Sequence, residues 1–166
     1  SVRTAEQYGI ALIHQELNEN PVLEESYTLY DLDGVPSAYI YNVRDNYGKA
    51  GYITVSATSK LDPIVEISES IDTPITKTLQ LVKEKTEGTI YKKENVRTKY
   101  IYLGDDSYYV SLSFREGDET LDLYYEFKNG DQIEISFEDL QAKQEFYEKY
   151  FEDGAGEKWK TLLSQL

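Results

Sequence analysis

The chain has 166 residues, 31 of them acidic and 17 basic, for a net charge of -14. That length suits one domain with a real hydrophobic core, and the acidity argues against nucleic acid, whose phosphates would repel such a surface. The absence of cysteine excludes disulfides, thiolate metal sites and thiol nucleophiles, and no apolar run approaches the roughly 20 residues of a membrane-spanning helix.

No methionine occurs, even at the first position. The chain therefore reads as a processed or truncated product whose leader has gone. The lack of cysteine suits an exported protein that avoids oxidative mispairing. Sixteen tyrosines stand against five phenylalanines and one tryptophan. Tyrosine carries an apolar body and a polar tip, so it fits half-wet sheet faces and contact surfaces alike.

In chain order, residues 4–19 read as a helix. Thr4 and Gln7 form a capping-box pair. Ala5, Tyr8, Leu12, Ile13 and Leu17 recur at helical spacing. The single histidine, His14, lies on this helix, where a surface or boundary role is the ordinary one. Strands follow over 26–32 and 37–43, then 52–57 and 64–68.

The first two strands are joined by Asp33-Gly34, a dipeptide that supplies positive φ to a two-residue hairpin turn. The same stretch can be tested as a helix-loop-helix calcium loop starting at Asp31. Val35 then stands where an oxygen ligand is needed, Pro36 where glycine is needed and Asn42 where the bidentate glutamate is needed. The hairpin is the better reading.

Residues 73–87 form a second helix, with Thr73 as cap, Pro74 at the tolerated first position and Gly88 as terminator. Ile75, Leu79 and Val82 make its apolar stripe. A strand over 99–103 leads into an antiparallel meander. Tyr108, Val110, Leu112 and Phe114 alternate with Tyr109, Ser111, Ser113 and Arg115. Leu121, Leu123, Tyr125 and Phe127, then Ile133, Ile135 and Phe137, continue the pattern between "EGDE" and "KNGD" turns. Such alternation describes a sheet with one wet face.

The tail is helical again, capped by Ser136 and Asp139, with Leu140, Tyr147, Tyr150 and Phe151 on one face. Gly154 and Gly156 break it before a short amphipathic segment at Trp159, Leu162, Leu163 and Leu166. The whole is α+β: antiparallel strands covered by helices at the N-terminus, middle and C-terminus, in one domain over 1–166. No convincing repeat is present, although two tyrosine-rich strand-turn-strand units, 27–43 and 100–114, resemble each other.

Residues able to carry chemistry are few. The acid pairs Asp105-Asp106 and Glu152-Asp153 and the run 116–119 fall in loops or at element ends. Ser–His–Asp chemistry would have to use His14 without a nucleophile motif. No Gly-rich phosphate loop and no cofactor or metal motif is present. An acidic hydrolase would need two carboxylates facing across a cleft. Tyr109 and Tyr124 fall on the predicted outer face of the meander, and Tyr39 and Tyr41 share one face of the second strand. These four tyrosines are the candidate contact surface, since aromatic side chains often anchor interfaces.

Residues 29–70 carry a resemblance. "LYDLDGVPSAYIYNV" followed by "GKAGYITVSATSKLDPIVEISES" resembles the propeptide region of the streptopain family of secreted bacterial cysteine proteases, and the stand-alone inhibitors related to it. The matching strand is Gly51, Tyr52, Ile53, Thr54, Val55, Ser56 and Ala57, with Ala50 in place of the first of the family's paired glycines. The later segment runs from Pro63 to Glu69. With the opening helix the resemblance covers about residues 5–70, leaving 71–166 as a second half. It implies a non-catalytic, secreted or cell-surface domain that blocks the cleft of a cysteine protease by steric occlusion. The alternatives are a module that binds another extracellular protein through its tyrosine-rich strands and, third, the acidic hydrolase.

Overall fold

The computed structural model describes residues 22–44, 50–58, 60, 61, 64–105, 107–150, 160, 161 and 164. Eight strands form one sheet: β1 (Val22–Tyr30), β2 (Pro36–Arg44), β3 (Ala50–Ser56), β4 (Ile64–Ser68), β5 (Val96–Ile101), β6 (Tyr108–Glu116), β7 (Glu119–Lys128) and β8 (Asp131–Ile135). Helix α1 (Pro74–Thr86) lies between β4 and β5, and α2 (Phe137–Tyr150) follows β8. The strand order is β4-β3-β2-β1-β5-β6-β7-β8. Two antiparallel meanders thus stand side by side, and β1 and β5 meet as a parallel pair at their junction. The tyrosine-rich units at 27–43 and 100–114 are the inner hairpins of the two meanders.

The turns follow local chemistry. Asn129 and Gly130 both have positive φ, 53° and 83°, which makes the β7–β8 connection a two-residue hairpin of the mirror-image type that matches strand twist. The Asp33-Gly34 connection is a longer loop than the predicted two-residue turn. It runs from Asp31 to Val35, because the Asp31 carboxylate accepts from the amides of Asp33 and Val35, both at 2.9 Å, and holds a wider turn. Gly51 is required by a close approach: a Cβ there would lie 2.3 Å from the Ser68 carbonyl oxygen of β4.

Helix α1 begins as predicted. The Thr73 hydroxyl accepts from the amides of Ile75 and Thr76, and the Thr76 hydroxyl accepts from the Thr73 amide, closing the capping box. Its buried stripe is Ile75, Thr78, Leu81 and Val82; Leu79, expected in that stripe, is exposed. Thr78 fits the core because its hydroxyl donates to the Pro74 carbonyl at 2.7 Å.

The two helices lie on opposite faces of the sheet. Ile75, Leu81 and Val82 of α1 pack with Leu29, Ile40, Val110, Leu112, Phe114 and Tyr125. Leu140 of α2 packs with Ile101, Leu103 and Tyr109 on the other face. A third cluster, Tyr39, Tyr41, Ile53 and Val55, occupies that second face under the first meander. The predicted middle and C-terminal helices are therefore present. The predicted helix over 4–19, with His14, lies outside the described residues. So does the closing segment 159–166, apart from 160, 161 and 164.

The sheet curls toward the α1 face. Four strand spacings of about 4.8 Å separate β3 from β6 in a flat sheet, roughly 19 Å. Yet the Tyr108 hydroxyl on β6 lies 2.8 Å from Thr54 Oγ1 on β3, closer than a flat sheet would let a tyrosine reach.

Candidate functional site: two buried tyrosine–carboxylate clusters

The first cluster sits on the concave face and consists of Tyr52, Thr54, Glu66 and Tyr108. Alternation along β3 turns Tyr52 and Thr54 to the same side, and the curl brings Tyr108 across to meet them. The Tyr52 hydroxyl donates to Glu66 Oε1 at 2.6 Å. The Tyr108 hydroxyl lies 3.0 Å from the same oxygen. A phenol has one proton, and the carboxylate can only accept it, so the Thr54 hydroxyl donates in turn to Tyr108. Burial, then the bond to Glu66, holds the Tyr52 phenol well above the ordinary tyrosine range. Burial, then the Glu66 charge, does the same for Tyr108. The Tyr102 ring stands 6.2 Å from that of Tyr108 and walls the cluster in.

The second cluster lies on the opposite face and consists of Asp105, Ser107, Tyr109 and Glu126. Tyr109 and Glu126 are direct cross-strand partners on β6 and β7. The Tyr109 hydroxyl donates to Asp105 Oδ2 through a short hydrogen bond. Ser107 bridges the two carboxylates: its amide donates to Asp105 Oδ1 at 3.4 Å and its hydroxyl to Glu126 Oε1 at 3.1 Å. Burial lifts the Asp105 carboxyl above its ordinary value; the Tyr109 bond, the Ser107 amide and the Lys143 charge on α2 pull it only part of the way back. Burial and the Asp105 bond push the Tyr109 phenol far up as well.

Helix α2 is fastened over this face by Gln144. Its Oε1 accepts from the Leu32 amide at 2.7 Å, and its Nε2 donates to Asp33 Oδ2 at 3.1 Å. The two aspartates that suggested a calcium loop are therefore engaged in loop and helix hydrogen bonds. Among the described residues no group of three or more His, Cys, Asp or Glu side chains could hold a metal ion.

The structure places the four candidate contact tyrosines unevenly. Tyr39, Tyr41 and Tyr109 are 9%, 1% and 0% exposed and pack in the core. Tyr109 stands on the face predicted to be wet, but Leu140 of α2 covers it. Tyr124 alone of the four stays half-buried, its ring 5.4 Å from that of Phe137. Glu66, Asp105 and Gln144, none of them singled out as site residues by pattern, make the bonds that matter. No pattern signals Glu66 and Gln144, whose partners lie 42 and 112 residues away and meet them only in the fold. Asp105 reads in the sequence only as half of a loop acid pair, although its partner Tyr109 is four residues on, because burial of the two together is decided by the fold.

Chemically, phenols held protonated act as hydrogen-bond donors and are poor bases or nucleophiles at neutral pH. Asp105, among the described carboxyls the one pushed up by burial, is 7% exposed. The first cluster ties β3 and β4 to β6 across the sheet, and the second ties the β5–β6 loop to the neighbouring strands β6 and β7, through hydrogen bonds that are buried or part-buried. In the described residues no helix is long and apolar enough to cross a membrane. No protein family, curated protein or solved structure matches this chain.

Proposed function

We propose that this chain is a non-catalytic contact domain of the kind that streptopain-type propeptides and inhibitors represent, secreted or held at the cell surface, and that it works by occluding a partner protein. The observation that carries this reading is the closure of both tyrosine–carboxylate clusters. The most strongly displaced phenols, Tyr52, Tyr108 and Tyr109, are spent on internal hydrogen bonds. What remains outward is the surface of the strands, loops and helices. The residues that carry the resemblance fall within the first meander, since "LYDLDGVPSAYIYNV" covers the end of β1, the turn and most of β2, and Gly51 to Glu69 covers β3 and β4. The partner on this reading is a cysteine protease, with another extracellular protein as the alternative.

The test is inhibition of purified streptopain-type cysteine proteases by micromolar protein, together with gel filtration of the mixture. A stoichiometric loss of protease activity with a co-eluting complex is the expected result. Full activity and no complex would remove the protease reading.

A further inference from the structure

The two meanders touch over a very short length. Tyr30 and Ile101 are the one residue pair of the β1–β5 ladder, supported by the Tyr102 amide donating to the Tyr30 carbonyl at 3.1 Å. From there back to Val96, β5 pairs with β6 on one side and, among the described residues, with no strand on the other. The sheet is thus joined at one end and split at the other. Burial agrees: Arg97, Thr98 and Lys99 are exposed although their strand is central in the sheet order, and so are Glu24, Glu25 and Ser26 of β1. On the α1 face the split is floored by the Tyr27 and Tyr100 rings, edge to face at 6.3 Å.

The charges along this seam are unequal in their commitments. On β1, Glu24 is ion-paired with Arg44 at 3.2 Å and Glu25 accepts from the Tyr27 hydroxyl at 2.9 Å. On β5, neither Arg97 nor Lys99 has a carboxylate at ion-pair distance among the described residues. Lys99 instead places its Nζ 5.2 Å from the centre of the Tyr30 ring. The two cations share one face of β5, opposite Ser113 and Ser111 of β6, while Val96 and Tyr100 turn to the apolar α1 face.

We infer that the open edge of β5 along this seam is a docking site for an extended, acidic segment of a partner protein, which adds as a strand. Backbone hydrogen bonds to the free edge supply affinity, and alternate side chains supply selectivity. Apolar side chains of the incoming strand meet Val96, Tyr100 and Tyr27. Its carboxylates, on the other face, meet Arg97 and Lys99. A second copy of this chain is a poor occupant. Antiparallel self-pairing about Thr98 would set Arg97 directly against Lys99 of the other copy, and opposed like charges destabilise a strand pair. This inference rests on the reading of the chain as a contact domain, and its test needs no protease, so either can fail alone.

The test is fluorescence polarisation with a labelled peptide of alternating valine and glutamate, about ten residues long to match a strand. The full chain should bind it saturably. The double variant R97E/K99E should weaken binding by roughly tenfold or more, as expected for close charge pairs at an interface, while staying folded with a melting temperature within a few degrees of the parent, since both side chains are exposed and only the Lys99–Tyr30 contact is lost. A valine–lysine peptide and a proline-interrupted valine–glutamate peptide should not bind. Equal binding of the valine–lysine peptide, indifference to R97E/K99E, no saturation, or concentration-dependent dimerisation through this edge would each overturn the inference.

Discussion

Tyr108→Phe removes one oxygen and leaves the ring packing in place, so it isolates what the cross-sheet hydrogen bonds contribute. The lost hydroxyl donates to the Glu66 carboxylate at 3.0 Å and sits 2.8 Å from Thr54 Oγ1. A hydrogen bond to a charged acceptor contributes about 1.5–3 kcal/mol. Thr54 is 0% exposed, so its hydroxyl is left without that partner and out of reach of water. A stranded buried polar group costs a further 1–3 kcal/mol or so. Glu66 keeps its 2.6 Å bond from Tyr52, which limits the damage on that side. The two terms add to about 2.5–6 kcal/mol, and the retained Tyr52 bond places the loss near the lower end, about 3 kcal/mol, which for a chain of this size lowers the melting temperature by roughly 6–12 °C.

Urea denaturation followed by circular dichroism measures the change as a shift in midpoint. Tyr27→Phe is the control. Its hydroxyl meets Glu25 at the exposed surface, and its removal should cost less than about 0.5 kcal/mol. Combining Tyr108→Phe with Thr54→Val should cost less than the sum of the two single changes, because each removes the same contact. A Tyr108→Phe variant within about 0.5 kcal/mol of the parent would refute the claim that this cluster ties the two meanders together.

Two pH experiments probe the same clusters. Tyr52, Tyr108 and Tyr109 hold their protons more tightly folded than unfolded, so their contribution is full below pH 10 and is lost as pH rises above it. Tyr108 alone accounts for a slope of up to about 1.4 kcal/mol per pH unit, and Tyr108→Phe should visibly flatten the alkaline limb of the stability curve. Asp105 is also shifted upward, so its contribution is present in acid and is lost as pH rises through its folded value. Asp105→Asn should therefore gain stability relative to the parent as pH is raised from 4 toward 7, measured by thermal melts across that range. A constant difference between the two proteins would show that the carboxyl does not titrate in its buried setting.

The sequence alone determined what is local in this protein. Alternation in "YYVSLSF" and "LDLYYEF" marks β6 and β7, the "KNGD" turn sets their neighbour β8, and Thr73-Pro74 starts α1, because each signal lies within a few residues of its effect. Only the tertiary structure decided which strands are central, that β1 and β5 lie parallel, and which faces are dry. An alternating strand says that its two faces differ but does not say what covers the polar one. Tyr109 is buried because Leu140, 31 positions further on, folds back over it. Tyr108 and Glu66 meet because the whole sheet curls. Among the described residues the edge beside Arg97 is unpaired because two meanders of similar pattern touch at one end only, a consequence of sheet geometry that no stretch of the chain encodes by itself.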